Sequence, residues 1–361
     1  MEVMASYTLN ELMRVRIEEP LVCDLLLEGT SVRLPDTRLL AFLGGLTEPR
    51  DEDALAGLCA DATGWDRERC RAVVARLITS GVLRESSFEH PLLDEAERWR
   101  KYGWLDALIL HCRTEGQPYG DVVDAARPSD PDAVLRERVD RHGPPSFWKH
   151  VDTDHHVALP EPADYPDRDL GEVLLARRTH VPWTGVPMTA PRVSRLLRDV
   201  NRPLVEMRRR AEREYTTRPS VLLENTYGDI ETYFAAFDVD GVEPGLYHYD
   251  PAGHRLSLVR RGDLREQVRT AFTGQERAAG GSCALLLSVV WERHMFRYAH
   301  DSRAYRTVMT ILGQFAQRYL VALTALGFTT FPTPAHLPEE TDALIGTRRF
   351  EESGVYLVAA G

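Results

Sequence analysis

Apolar positions recur with different periods along the chain. "LVCDLLLEG" followed by "SVRLPD" predicts two short strands joined at Glu28-Gly29, a turn that glycine favours because it carries no Cβ. "TRLLAFLGGL" predicts a short helix ended by its glycines. "EDALAGLCADA" and "DRERCRAVVARLITSG" carry apolar residues at helical spacing, and Gly81 stops the second. "VLRES" predicts a strand. Helix, turn, helix and strand is the order of a winged-helix-like domain. Residues 96–142 read as helical around "WLDALILH". The following "GPPSFWKHVDTDHHVALPEPADYPD" is proline-dense and aperiodic, which predicts a linker or an extended arm.

From residue 169 the pattern changes. "DLGEVLLARRTH", "TAPRVSRLLRDV" and "DLREQVRTAFTG" predict helices, whereas "ETYFAAFDV", "GLYHYD" and "RLSLVR" alternate like antiparallel strands. "CALLLSVVW" predicts a buried strand and "GVYLVAAG" a closing one. Between them a long helix is predicted from Ser302 to Leu326. Its apolar stripe (Val308, Ile311, Leu312, Phe315, Tyr319, Leu320, Leu323, Leu326) is wide enough for burial on more than one face. Strands in runs, without strict β-α alternation, predict an α+β fold. The expected domains are residues 1–95, a helical bridge and proline-rich linker over 96–168, and a larger domain over 169–361.

Composition narrows the function classes. At 361 residues the chain is long for one core. Its net charge of −11 gives no overall footprint for nucleic acid. The N-terminal stretch "MEVMASYTLNELMRVRIEEP" lacks a signal-peptide pattern, and no apolar run is long enough to span a bilayer. Five scattered cysteines with no Cys-x-x-Cys read as reduced thiols, so a cytoplasmic protein is expected. Adjacent His155 and His156 in an extended segment point to opposite sides, which argues against a shared metal. Lysine occurs twice, at Lys101 and Lys149, and every other base is arginine. Codon bias explains that bluntly, but arginine cannot accept a proton.

The second half resembles the flavin-dependent nitroreductase superfamily and, more narrowly, the SagB-type dehydrogenases, which oxidise azoline rings in ribosomally made peptides. "LLARRTH" with "PMTAPRVSRLL" is similar to the family's opening helix, Arg-Arg-Ser motif and second helix. "RPS" matches the start of its flavin loop, and "IETYFAAFDVDGVEPGLYHYDPAGHRLSLVRRG" its strand-turn-strand segment. "FRYAHDSRAYRTVMTILGQFAQRYLVALTALGF" resembles the catalytic turn and central helix, and "YLVAAG" the closing strand. The resemblance implies a nitroreductase-like fold, a mainly antiparallel central sheet flanked by helices, preceded by the winged-helix-like domain. It also implies FMN as cofactor, a modified peptide as substrate, and a homodimer or a heterodimer with a related chain, within a larger synthetase complex.

The resemblance assigns roles. Arg177, Arg178 and Thr179 would grip the FMN phosphate, since guanidinium suits bidentate phosphate contact. Arg218 and Ser220 would bond the phosphate or ring edge, and Gln317 stands where the family has a glutamine on the long helix. Three departures accompany these matches. Where the family runs through glycines to a His-Pro, this chain has "VLLENTYGDIETY", leaving Gly228 and the backbone-tolerant Asn225. Val181 replaces a commonly basic residue, and the family's Lys-Tyr pair reads Arg297-Tyr298. Either Tyr298 takes the substrate proton, aided by the positive charge of Arg297, or the proton leaves by another route, or the oxidation is not performed. Two functions follow: an FMN-dependent oxidoreductase acting on a peptide, or a degenerate partner or scaffold subunit without flavin turnover.

Overall fold

A computed structural model describes residues 5–115 and 130–361. These fall into two units that divide between 119 and 120.

In the first unit β1 (Tyr7–Leu9) pairs with the later β5 (Leu83–Glu85), while β2 (Met13–Arg16), β3 (Leu21–Leu25) and β4 (Thr30–Leu34) form an antiparallel meander. The β3–β4 turn places Gly29 at φ +63°, where the predicted hairpin needs it. Between β4 and β5 lie α1 (Leu39–Gly45), α2 (Glu52–Thr63) and α3 (Arg67–Thr79). Asp51 and Asp66 cap the last two by accepting the amides of Ala54 and Arg69, both at 2.8 Å. Leu55, Cys59, Val74 and Leu77 from these helices pack with Leu21, Cys23 and Leu25 of β3. Two further helices, α4 (Pro91–Lys101) and α5 (Leu105–Glu115), belong to the same unit.

The second unit begins with α6 (Pro131–His142), whose N-cap is Asp130. His156–Ala158 then form β6, an edge strand paired with Arg255–Ser257. The aperiodic segment is therefore partly built into the sheet, because backbone pairing at an edge needs no apolar alternation. Next come α7 (Leu170–Ala176), α8 (Ala190–Glu214) and the short α9 (Val221–Glu224). The helix predicted over "DLGEVLLARRTH" ends at Ala176, so the Arg-Arg pair lies beyond it.

Strands β7 (Ile230–Ala236), β8 (Gly245–Asp250) and β9 (Arg255–Arg261) follow, then α10 (Arg265–Ala271) and α11 (Glu276–Ala279). The chain continues through β10 (Cys283–Val290), α12 (Trp291–Arg297), α13 (Ala304–Ala325), β11 (Thr330–Thr333), α14 (Pro338–Ile345) and β12 (Glu352–Ala360). Seven strands form one antiparallel sheet in the order β11-β12-β10-β7-β8-β9-β6. Alternating residues of β7 and β10 face opposite cores. Ile230, Phe234, Leu285 and Leu287 pack under α8 and α13. Tyr233, Ala235, Ala284 and Leu286 pack under α10, α11 and α14. Helices thus cover both faces of a mainly antiparallel sheet, as the α+β expectation requires. All eight apolar positions of the long-helix stripe are buried.

Among the described residues, no helix is long and apolar enough to cross a membrane.

Candidate functional site

The end of β7 nearest α12 holds a buried ionic cluster. Asp229 precedes the strand, and the amide of Val290 donates to its carbonyl at 2.8 Å, fixing the start of α12 beside it. The 3–4 spacing of α12 aims Arg293, His294 and Arg297 inward, and all three are buried. Arg297 is ion-paired with Asp229. His294 Nδ1 meets the same carboxylate at 2.7 Å and its Nε2 meets the carbonyl of Ala304 at 2.7 Å, which ties α12 to the first turn of α13.

A second layer surrounds Glu231. Arg208 leaves the apolar stripe of α8 and reaches the end of β7, donating to the carbonyls of Gly228 at 3.1 Å and Ile230 at 2.7 Å and to Glu231 at 3.0 Å. Arg293 donates to the same carboxylate oxygen at 2.5 Å, and His248 Nε2 meets the other oxygen at 3.0 Å. Burial pushes the Glu231 carboxyl up, but the two guanidiniums and His248 prevail and hold it well below the ordinary carboxylate range.

Tyr298 ends α12, half-buried. Its ring lies 5.0 Å from the His294 ring and 5.0 Å from the Arg297 guanidinium carbon. Arg297 is therefore oriented by Asp229 and by the Thr226 carbonyl at 3.4 Å, with the tyrosine stacked beside it. Asn225 and Gly228 adjoin this cluster. The Gly228 amide donates to the Asn225 carbonyl at 3.0 Å. A Cβ on Gly228 would collide with the Asn225 side chain, so glycine here admits that amide instead of opening a flat surface.

The other sequence-predicted residues stand apart from this cluster. Arg218 is held between Glu214 at 3.1 Å and Glu224 at 2.5 Å. The Ser220 amide donates to Asp132 at 2.6 Å, joining α6 to the start of α9. Gln317 lies on the exposed side of α13, where it lines a cavity of about 510 Å³ with Tyr165 and Arg168. Arg177 caps α7 and donates to the Thr179 hydroxyl at 3.2 Å, while Arg178 donates to the Arg177 carbonyl at 3.1 Å. Neither of these two arginines meets a carboxylate among the described residues. Asp301 pairs with Arg303 at 2.7 Å, and Tyr305 stacks on Trp291 at 5.9 Å. His156 Nδ1 meets Ser257 Oγ at 3.0 Å.

The donor set around Arg177 fits a phosphate by its side chains alone: two guanidiniums that meet no carboxylate among the described residues, and the Thr179 hydroxyl. The loop at Asn225 and Gly228 is closed on itself and does not by itself form a cradle for a flat ring. Sequence reasoning missed Arg208, Asp229, Glu231, His248, Arg293 and His294. Two signals were present: an arginine on the apolar stripe of α8, and two carboxylates, Asp229 and Glu231, opening the largely apolar stretch "DIETYFAAF".

No family model matches the chain. Among known proteins, it is similar to the trifolitoxin operon protein TfxC of Rhizobium leguminosarum bv. trifolii. The two are 26% identical over 369 residues, which covers 98% of this chain and 99% of that one. It is also 26% identical over 187 residues to a protein of Methanocaldococcus jannaschii named as a nitroreductase, covering 52% of this chain and 89% of the relative. Among solved structures, a chain of the Escherichia coli microcin synthetase McbBCD complex, with truncated pro-MccB17 bound, overlays with a TM-score of 0.39. That match is 15% identical and covers 76% of this chain and 98% of that one.

Proposed function

We propose that this chain, a divergent SagB-type member of the nitroreductase-like proteins, is an FMN-dependent oxidoreductase that modifies a ribosomally made peptide by azoline-to-azole dehydrogenation. The substrate class comes from the sequence resemblance to the SagB-type dehydrogenases, and the end-to-end likeness to the trifolitoxin operon protein supports the reading. The observation that carries it is the pair Arg177 and Arg178, which meet no carboxylate among the described residues and stand beside the Thr179 hydroxyl. Arg177, Arg178 and Thr179 would hold the phosphate. Bound FMN supplies a hydride acceptor. Tyr298 is the proton-carrying group, because the Arg297 guanidinium is fixed on Asp229 and keeps its protons. Asp229 and His294 set the position of Arg297, and through it the tyrosine ring.

One observation favours a second reading, a nitroreductase-like partner subunit of a peptide-modifying complex without flavin turnover. Arg218 is spent on two glutamates, and Asn225 fills the space at Gly228. FMN titration of the purified chain separates the two. The enzyme reading expects stoichiometric flavin absorbance. It also expects Arg177→Ala to weaken FMN by about ten- to a hundredfold, the loss of a charge-assisted bond. A chain that stays colourless supports the partner. Tyr298→Phe is expected to slow turnover by about 10²–10⁴-fold with FMN binding retained, and unchanged turnover removes the tyrosine from its role.

A further inference from the structure

A cavity of about 670 Å³ opens beside the buried cluster, between residues 146–150, α12 and residues 346–352. Lys149 and Arg293 stand among its lining residues together with Glu352. The Glu352 carboxylate is ion-paired with Lys149 and accepts the Tyr233 hydroxyl at 2.8 Å and the Ser288 hydroxyl at 2.6 Å. Lys149 is one of two lysines in a chain whose other permanently charged bases are all arginine. Arginine suits a carboxylate partner at least as well. The Lys149 ammonium is compact and carries three donors, and among the described residues Glu352 is the one carboxylate it meets.

The electrostatics behind the cavity add a second observation. Lys149 and Glu352 cancel. Arg208 and Arg293 share the single carboxylate of Glu231, so the floor holds one positive charge beyond its acids. Arg208 Nε and Nη1 are buried and meet no hydrogen-bond partner among the described residues, beneath the Trp148 ring at 5.6 Å. At the rim Arg348 and Glu351 pair at 3.1 Å, and Glu292 stands in solvent, where its charge is screened. The mouth is apolar as well: Met295 is 57% and Phe350 85% exposed. Donor-rich floor and unspent apolar rim together specify a ligand with oxygen acceptors and an apolar side chain.

We propose that this cavity binds a segment of the peptide substrate, its carbonyl or terminal carboxylate oxygens on Lys149 and Arg293 and an apolar side chain against Trp148, Met295 and Phe350. The proposal rests on the reading of the chain as a peptide-modifying protein. The scarcity of lysine makes it testable. The full chain is treated with an amine-acetylating reagent, with and without millimolar N-acetyl-Gly-Phe-Gly-Phe, and mass spectrometry follows Lys149 and Lys101 separately. The peptide is expected to protect Lys149 severalfold and leave Lys101 unchanged. Protection lost with the C-terminally amidated peptide assigns the terminal carboxylate, and protection kept assigns an internal carbonyl. Equal acetylation of Lys149 with and without both peptides overturns the site. Calorimetry gives a second readout: Phe350→Ala, a surface change, is expected to weaken binding of the same peptide, and an unchanged affinity also counts against the site. Flavin is read separately by absorbance. Protection without flavin retires the redox reading and keeps this site, and flavin without protection does the reverse.

Discussion

Glu231 is the residue on which most of the buried charge depends. It lies inside β7, accepts from Arg208, Arg293 and His248, and is almost fully excluded from water. Replacing it with glutamine removes the counter-charge of two buried guanidiniums. Glu231→Gln is therefore expected to cost about 3–5 kcal/mol, read from urea denaturation; a loss below 1 kcal/mol, roughly the worth of an exposed pair, would mean the guanidiniums find other acceptors. The thiols make a separate case. Burial pushes Cys283 up to about 12, and burial with the neighbouring Cys70 does the same for Cys59. Both are expected to resist iodoacetamide near pH 8 until denaturant is added; labelling of the folded protein at either site contradicts that. At this scale the sequence was only partly legible. Arg297 and Tyr298 stood out by type and neighbourhood, but Arg297 is held by Asp229, about seventy residues away in sequence, and a single chain pattern carries no such long-range pairing.

Among the elements, α13 does most to join the sheet to the candidate site. Its apolar stripe was readable from period alone, because burial on one face of a 3.6-residue helix leaves a repeating trace. Phe315 is fully buried among the residues of that stripe and packs against the Tyr227 and Tyr319 rings. Phe315→Ala is expected to cost about 3–5 kcal/mol, seen as a lowered denaturation midpoint. At the other end of the range, Asp51→Ala removes one cap hydrogen bond from α2 and is expected to cost about 1 kcal/mol. β6 was not legible. Three residues at a sheet edge gain their place from pairing with β9, and the proline-dense sequence around them shows no period-2 alternation. The helix predicted through the Arg-Arg pair ends at Ala176 in the structure, and among the described residues neither guanidinium meets an acid.

For the whole molecule, the clustered charges predict a direction of acid sensitivity. Glu231 has a lower pKa folded than unfolded. Above its ordinary value near 4.5 both states are ionised and its full contribution to stability is present. As pH falls below that value the unfolded chain takes up the proton first, so stability drains away toward the folded pKa. Denaturation midpoints are expected to hold above that range and fall below it, with a shallower fall in Glu231→Gln.

The architecture was legible at this scale because runs of alternating strands separated from amphipathic helices leave few arrangements open. The cavity beside Lys149 was not, since it is assembled from three segments that lie far apart in the chain. The account stands or falls on whether the open arginine pair after α7 holds a flavin phosphate. Titrating the purified full-length chain with FMN, beside Arg177→Ala, tests this most directly. Saturable one-to-one binding, weakened in the variant, is the predicted result; absence of binding, or equal affinity in both proteins, would contradict it.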